Sequence, residues 1–348
     1  MEQIMHTQPG PVLDEKGRPF PGYSTKSVLT YNRNQIKAPS YRIKEWDFYQ
    51  IANDRYIAQV SFANISIGGY AGAKLVDWKT GEIIYDVAPI FLGGTNKYVL
   101  PPKGDVPNYF KATVGNAVIE FNTKETYRTL YFKAPYKGKT VECNFKMDIM
   151  PGLENMTTVL PFKNMPTRYF MTTKQNCMPC EGRCTYGDMV YDFSKEDAFC
   201  ILDWGRVNTP YKMVWYWCNG TDYIYDEKGE KHIFGFEATW AIGDESNATE
   251  TCIFYDGKVH KIGAIDVETF PKPDKYMKPW KFLSEDGRFN MTMTPVFDHH
   301  TDINAANIMR MNCHQVCGHC NGNVILDDGT KLEIRDMNVF CEYVENKW

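Results

Sequence analysis

The sequence predicts an all-β protein built from two similar antiparallel β-barrels in tandem. The motif Asn-Cys-x4-Gly-x-Cys occurs at residues 176–184 and again at residues 312–320. The offset of 136 residues (312 − 176) has the size of a whole domain, whereas solenoid repeats run roughly 20–50 residues. A chain of 348 residues also has the length expected for two domains.

The second observation is a succession of short strand-like runs between turn signals. The pairs Asp256-Gly257 and Asp328-Gly329 have the composition of tight hairpin turns. No convincing stretch of helical length shows a helical apolar period. Aromatic residues make up 14% of the chain, and they suit a half-buried pleated surface. Each half must protect its sheet edges, and closing into a barrel does this most completely.

The domain organisation follows from the repeat and from the distribution of proline and glycine. Residues 1–40 are rich in both and predict an extended arm that covers a barrel mouth. Residues 41–175 form the first predicted barrel and residues 176–348 the second. Residues 150–173 are interpreted as a long loop that leads to the junction between them.

Composition excludes several classes of protein. A net charge of −4 gives no basic footprint for nucleic acid. No apolar run is long enough to span a membrane. The first residues lack a basic, then apolar, signal segment. Eleven cysteines without such a signal indicate free thiols in a reducing cytoplasm. Nothing in the sequence specifies an oligomeric state.

The chain resembles the DUF2804 family of unknown function. The resemblance covers residues 12–348 and rests on these segments: 42–47 (RIKEWD), 198–211 with its LDWGR core, 256–261 (DGKVHK), 322–330 and 342–348. The family is related to lipocalin-like (calycin) double barrels, which include carotenoid hydratases and AttH-like proteins. The resemblance therefore implies two tandem lipocalin-like barrels and a hydrophobic small molecule as the ligand.

Three polar residues are the catalytic candidates. Asp203 adjoins Trp204, and an acid in an apolar neighbourhood has a raised pKa and can transfer protons near neutral pH. Arg206 is the plausible partner that would orient Asp203, or would make the pair structural. His314 lies on a predicted strand and is the second acid–base candidate.

Aromatic residues are the candidates for ligand binding. Tyr211, Trp215 and Trp217 share one face of a predicted strand, because strand side chains alternate. Trp46 and Trp204 precede them in comparable aromatic segments. This face lines either a barrel core or a ligand cavity, and a barrel of about eight strands can hold one small ligand.

The repeated cysteines form a weaker metal-site hypothesis. The six sulfur ligands would be Cys177, Cys180, Cys184, Cys313, Cys317 and Cys320. Zinc takes four ligands in a tetrahedron, but strand alternation separates neighbouring thiols and the two sets belong to different predicted barrels. Small buried thiols are the simpler interpretation.

The leading hypothesis is a protein that binds an apolar or aromatic small molecule in a barrel cavity. It is either a cofactor-free hydratase, lyase or isomerase acting on a C=C bond, or a carrier without activity. A cysteine-rich metal protein is the distant alternative. The sequence has no Gly-rich phosphate loop, no Gly-x-Ser-x-Gly elbow and no His-Glu-x-x-His motif, so no cofactor is expected.

The metal hypothesis has a direct test. We expect the purified protein to hold no stoichiometric zinc by elemental analysis, because the cysteine spacing does not converge on one point. Stoichiometric zinc whose removal by a chelator also lowers the melting temperature would contradict this expectation.

Overall fold

The computed structural model describes residues 2–226, 228–266, 275–305 and 309–347. These residues form two curled antiparallel half-barrel sheets, and the predicted all-β fold class is confirmed. Three short 3-10 helices occur in the described chain, at Arg33–Gln35, Ser40–Arg42 and Thr95–Lys97.

The first sheet lies in the N-terminal part of the chain. Its strands are β2 Gly22–Ser24, β4 Ile43–Ala52, β5 Tyr56–Asn64, β6 Gly68–Asp77, β7 Ile83–Val87, β8 Ile90–Leu92, β9 Asn108–Val114, β10 Ala117–Thr123, β11 Tyr127–Tyr136, β12 Lys139–Asp148, β13 Met156–Phe162, β14 Met165–Tyr186, β15 Met189–Phe193 and β16 Phe199–Asn208. The main path runs β7-β6-β5-β4-β16-β14-β12-β11-β10-β9. Strands β4 and β16 therefore pair near its middle, although they are far apart in sequence.

The second sheet lies in the C-terminal part. Its strands are β17 Lys212–Tyr225, β18 Lys231–Trp240, β19 Cys252–Tyr255, β20 Lys258–Lys261, β21 Trp280–Leu283, β22 Phe289–Ala305, β23 Met309–Ile325 and β24 Lys331–Lys347. The order is β20-β19-β18-β17-β24-β23-β22-β21, so the last strand of the chain pairs with the first strand of this sheet.

The N-terminal segment packs onto the first half-barrel. Its two-residue strands β1 (Gly10–Pro11) and β3 (Leu29–Thr30) pair in parallel, and β2 joins the first sheet through β13. Val12, Leu13 and Tyr31 belong to the buried core of that half-barrel. The segment also reaches the second sheet region, where Ile4 N donates to the Asn247 carbonyl at 2.8 Å.

The sheet boundary does not coincide with residue 175. Strand β14 passes through that position, and residues 176–208 pair with strands of the first sheet. The expected loop at residues 150–173 is wrong, because most of it forms β13 and the start of β14. The threonine-rich run at 157–173 has strong β propensity, and its lack of regular alternation hid the strands.

Each half-barrel interior is filled with apolar side chains. The first contains Ile51, Val60 and Phe132, and the second contains Phe234, Phe236 and Val316. The outer faces of the two sheets pack against each other through smaller clusters, of which one joins Ile57 and Ile201 to Trp217. The molecule thus has two cores and one extensive contact between its sheets.

Cysteines occupy these buried surfaces. Nine are free and buried. Cys218 and Cys341 lie opposite each other on β17 and β24 and form a disulfide. The expectation that all eleven thiols are free is therefore wrong for this pair, because the strand pairing places two cysteines from distant sequence positions side by side.

A buried ion pair ties β4 to β16 inside the first half-barrel. Arg206 is fully buried, and its Nη2 lies 2.8 Å from Asp47 Oδ1. The guanidinium also donates to the carbonyls of Trp46 and Pro101, at 2.7 and 2.9 Å, and packs over the Trp204 ring. A buried charge needs such partners, since losing them leaves it unsolvated.

Removing the carboxylate tests the structural importance of this pair. We expect Asp47→Ala to lower the free energy of unfolding by about 3–5 kcal/mol, because Arg206 remains buried without its counter-charge. Denaturant titration measures the change. The matched control is Asp192→Ala at the exposed Arg183–Asp192 pair, where the loss should stay below about 1 kcal/mol. Equal losses in the two variants would contradict the assignment.

Candidate functional site

The aromatic face predicted on β17 lies between the two sheets, not inside a half-barrel. Trp215 and Trp217 belong to the apolar cluster that joins the sheets. The Phe48 ring on β4 meets the Trp217 ring at 6.0 Å, and Trp215 also packs in a second cluster with Trp46. Tyr211 is more exposed and lies beside Arg42 at the edge of this contact.

A buried ion pair stands at the centre of the contact. Lys174 on β14 is directly opposite Asp203 on β16, and Nζ lies 2.9 Å from Oδ1. The Lys174 ammonium also lies 4.1 Å from the centre of the Trp217 ring. Burial alone lowers the pKa of Lys174, but the Asp203 carboxylate, together with the charges of Glu250 and Glu237, outweighs it, so the pKa is raised and Lys174 stays charged.

Two further carboxyl groups lie in this region, and the positive charge of Lys174 acts on both of them. Glu237 on β18 accepts a hydrogen bond from the Trp217 indole, and burial raises its pKa to about 8. Glu250 accepts from Thr158 Oγ1 at 3.1 Å, and burial raises its pKa as well. With a pKa of about 8, Glu237 is mainly protonated at neutral pH.

A third carboxyl group, Glu342 on β24, faces the first sheet beside Trp217. Gln315 Nε2 donates to Glu342 Oε1 at 2.9 Å, and the Gln315 carbonyl oxygen accepts from Lys74 Nζ, also at 2.9 Å. Burial raises the pKa of Glu342, and the negative charge of Asp203 adds to the increase. One amide thus connects an acid and a lysine from opposing sheets.

Several residues of this contact keep part of their surface open to solvent. Trp46, Phe48, Tyr70, Trp215 and Glu342 are only partly buried. We call the surface formed by these five residues together with Lys74, Lys174 and Asp203 the inter-sheet cleft. Burial is the main cause of the raised pKa of Tyr70, and the negative charge of Glu342 on the opposite sheet adds to it.

Glycine residues allow aromatic side chains to pack closely on this face. At Gly205, an added Cβ would lie 2.1 Å from the Trp46 indole, so the ring occupies the space that a side chain would take. At Gly72, an added Cβ would lie 3.3 Å from atoms of Tyr70 and Ala88, so these two side chains already pack closely against the glycine.

Two predicted site residues lie elsewhere. Arg206 and Trp204 face the interior of the first half-barrel, because residues of one strand alternate between its faces. The expected pairing of Arg206 with Asp203 is therefore wrong, since three positions along a strand separate them onto opposite faces. Trp204 donates through Nε1 to the Pro101 carbonyl at 3.3 Å and packs in that core.

His314 lies on the inner face of the second sheet. Its Nδ1 is 2.7 Å from Asp298 Oδ2, and its ring stacks between Tyr276 and His300, with centroid distances of 3.7 and 4.1 Å. The structure thus does not bring His314 together with Asp203.

The six cysteines of the metal hypothesis point into three separate regions. Cys180 and Cys184 lie in the first core and Cys320 in the second. Cys177, Cys313 and Cys317 lie at the contact between the sheets. In the part of the chain that the structure describes, no group of possible metal ligands includes a cysteine.

Sequence reasoning missed Lys174, Glu237 and Glu342. Two of them lie directly opposite a residue that the sequence did predict. Glu342 is paired with Trp217, and Lys174 is paired with Asp203. The available signal was a charged residue inside a strand with mainly buried neighbours, which requires a partner. The identity of that partner depends on strand pairing over long sequence distances.

A small crevice lies at another part of the contact between the sheets. Trp78, Asn219 and Asp222 border it, and its volume is ≈ 30 Å³. A space of this size holds one or two water molecules. It does not accommodate an organic ligand without movement of the surrounding side chains.

The model of one protein family, described as a domain of unknown function (DUF2804), matches residues 3–348. The chain belongs to the DUF2804 family. No curated protein matches the chain at a significant level. Among the described residues of this DUF2804 protein, no helix is long and apolar enough to cross a membrane.

Solved structures are similar to this chain at low sequence identity. The structure of CghA with Sch210972 is 11% identical and has a TM-score of 0.54, covering 98% of this chain and 97% of that one. Kievitone hydratase from Nectria haematococca is 9% identical with a TM-score of 0.42, covering 92% and 95%. A putative AttH from Nitrosomonas europaea is 12% identical with a TM-score of 0.43, covering 90% and 96%.

The raised pKa of Glu237 predicts a pH dependence of stability. Between the ordinary pKa of 4.5 and about 8, the folded protein holds a proton that the unfolded chain releases. The contribution of Glu237 to the free energy of unfolding is fully present below pH 4.5 and is lost as the pH rises through 8. We expect a loss on the order of a few kcal/mol over this window.

The measurement is the free energy of unfolding against pH for wild type and Glu237→Gln, which cannot ionise. The variant should lose this component of the pH dependence, whereas Glu333→Gln, at an exposed glutamate, should retain it. A Glu237→Gln profile parallel to that of the wild type would refute the assignment.

Proposed function

We propose that this protein binds an apolar or aromatic small molecule in the inter-sheet cleft and catalyses cofactor-free acid–base chemistry at a C=C bond of that molecule. The observation that supports the proposal best is the combination of three partly exposed aromatic walls with ionisable groups buried behind them. Ligand sites are typically apolar, with a few placed polar groups.

The aromatic side chains would hold the ligand. Flat apolar surfaces that are only partly buried lie on both sheets. They belong to Trp46 and Phe48 on the first sheet and to Trp215 on the second. A planar or isoprenoid group that enters between them would replace water on both sides. Burial of apolar surface contributes about 25 cal/mol per Å².

The carboxyl groups would transfer the protons. Glu342 is the proposed acid, because burial raises its pKa and so favours the protonated form, which can donate to an alkene carbon. Asp203 is the proposed base and electrostatic partner, because Lys174 holds it at 2.9 Å. Its negative charge would stabilise a developing carbocation, and it could take a proton from an attacking water molecule.

The second candidate function is a carrier without catalysis. The fully buried Glu237 and the Lys174–Asp203 pair favour it, because such groups can also serve to fix how two sheets pack. The two functions share the binding site and differ in whether Glu342 and Asp203 exchange protons with the ligand.

The test is turnover of a panel of terpenoid alkenes and prenylated phenols in D₂O, followed by mass spectrometry. Hydration adds the elements of D₂O, and isomerisation introduces a single deuterium. We expect Glu342→Gln and Asp203→Asn each to lower turnover at least about 100-fold, as for the loss of a general acid or base. Binding, measured with an apolar fluorescent dye, should be largely retained.

The control variant is Glu333→Gln, whose side chain is exposed on the second sheet; it should leave turnover and binding unchanged. Dye and ligand binding without turnover in the wild type would favour the carrier. Turnover retained in Glu342→Gln would remove this residue from the mechanism. A wild-type protein that binds none of the probes would refute the proposed cleft.

A further inference from the structure

Lys74 is a lysine at the inter-sheet cleft that the proposed acid–base chemistry does not use. It lies on β6 on the same strand face as Gly72 and Tyr70, because alternate residues share a face. The side chain is partly buried and points toward β22 and β23 of the second sheet.

The partners of Lys74 differ from those of Lys174. Lys174 has a carboxylate at 2.9 Å. The Lys74 amine instead contacts two neutral acceptors, the Gln315 carbonyl oxygen at 2.9 Å and His299 Nδ1. A neutral imidazole nitrogen in contact with the amine can accept its proton. His299 can therefore act as the base that deprotonates Lys74.

Burial favours loss of that proton. It lowers the pKa of Lys74, although the charges of Asp86, Cys313, Cys317 and Glu342 oppose the shift. Burial and the nearby Lys74 charge also lower the pKa of His299. A desolvated lysine with a reduced pKa is the usual form of a nucleophilic amine in proteins.

We propose that Lys74 captures an apolar aldehyde or ketone in the inter-sheet cleft as a Schiff base. This inference rests on the proposed function, since it assigns the ligand to the same cleft and names its reactive group. The neutral Lys74 amine adds to the carbonyl carbon and forms a carbinolamine. Protonation of its hydroxyl group by an acid and loss of water then give the C=N bond.

Glu342 is in position to serve as that acid. The Gln315 side chain bridges the two residues, since its carbonyl oxygen accepts from Lys74 and its Nε2 donates to Glu342. A Schiff base also withdraws electrons from a conjugated C=C bond. The captured class is therefore an α,β-unsaturated carbonyl compound with an apolar or aromatic body, which water can then attack at the β carbon.

The experiment is reductive trapping with cinnamaldehyde and sodium cyanoborohydride at neutral pH, with peptide mapping of the modified lysine. We expect a single adduct on Lys74 in the wild type. Lys74→Arg should lower the adduct yield at least tenfold, and Lys111→Arg, at an exposed ion pair, should not change it. Lys44 and Lys261, whose pKa values burial also lowers to about 8, serve as internal controls on the same map.

Modification spread over Lys44, Lys261 and surface lysines, or no adduct on Lys74, would overturn the inference. The peptide map of the wild-type protein tests the inference even if the Lys74→Arg variant fails to fold. Apolar dye binding is measured on the same sample. Dye binding without a Lys74 adduct would refute this inference and leave the proposed function intact. If the protein neither binds the dye nor forms the adduct, the cleft is refuted as a binding site.

Discussion

The Lys174–Asp203 ion pair sets the main constraint on this structure. Two charges at the contact between the sheets, 2.9 Å apart, are stable only if the surrounding groups replace the water that they lost. The Trp217 ring packs against the ammonium group, and its indole N–H reaches Glu237. The second sheet must therefore present this strand face to the first, which fixes how the two half-barrels meet.

Because of this constraint, the candidate catalytic groups lie at the contact between the sheets and not inside the half-barrels. Their interiors are filled by side chains such as Phe132 and Phe236, whereas the contact combines ionisable groups with incompletely buried aromatic rings. Groups at such a contact are desolvated enough to have shifted pKa values, yet Glu342 and Trp215 remain partly accessible. Shifted pKa values beside accessible apolar surface are typical of functional sites.

The sequence predicted the fold class and part of the site for clear reasons. Alternation along β17 correctly grouped Trp215 with Trp217. Asp203 lies beside Lys174 near the Trp217 ring, whereas Trp204, the neighbour that suggested an aromatic environment, faces the first core. The same alternation would have separated Arg206 from Asp203. Lys174 was not predicted, because the threonine-rich segment that contains it lacks the regular alternation of apolar and polar residues. The local signal of Glu342, a charge among buried neighbours, does not identify its partners, since its place beside Trp217 arises from pairing of the first and last strands of the second sheet.

The most direct test of the central claim is the location of a bound ligand. A crystal of the protein with a bromine-labelled naphthol would reveal the ligand position through anomalous scattering. The inter-sheet cleft predicts a bromine peak among Trp46, Tyr70 and Trp215, within contact distance of at least two of these rings. A peak enclosed within the interior of either half-barrel, with the cleft unoccupied, would contradict the claim.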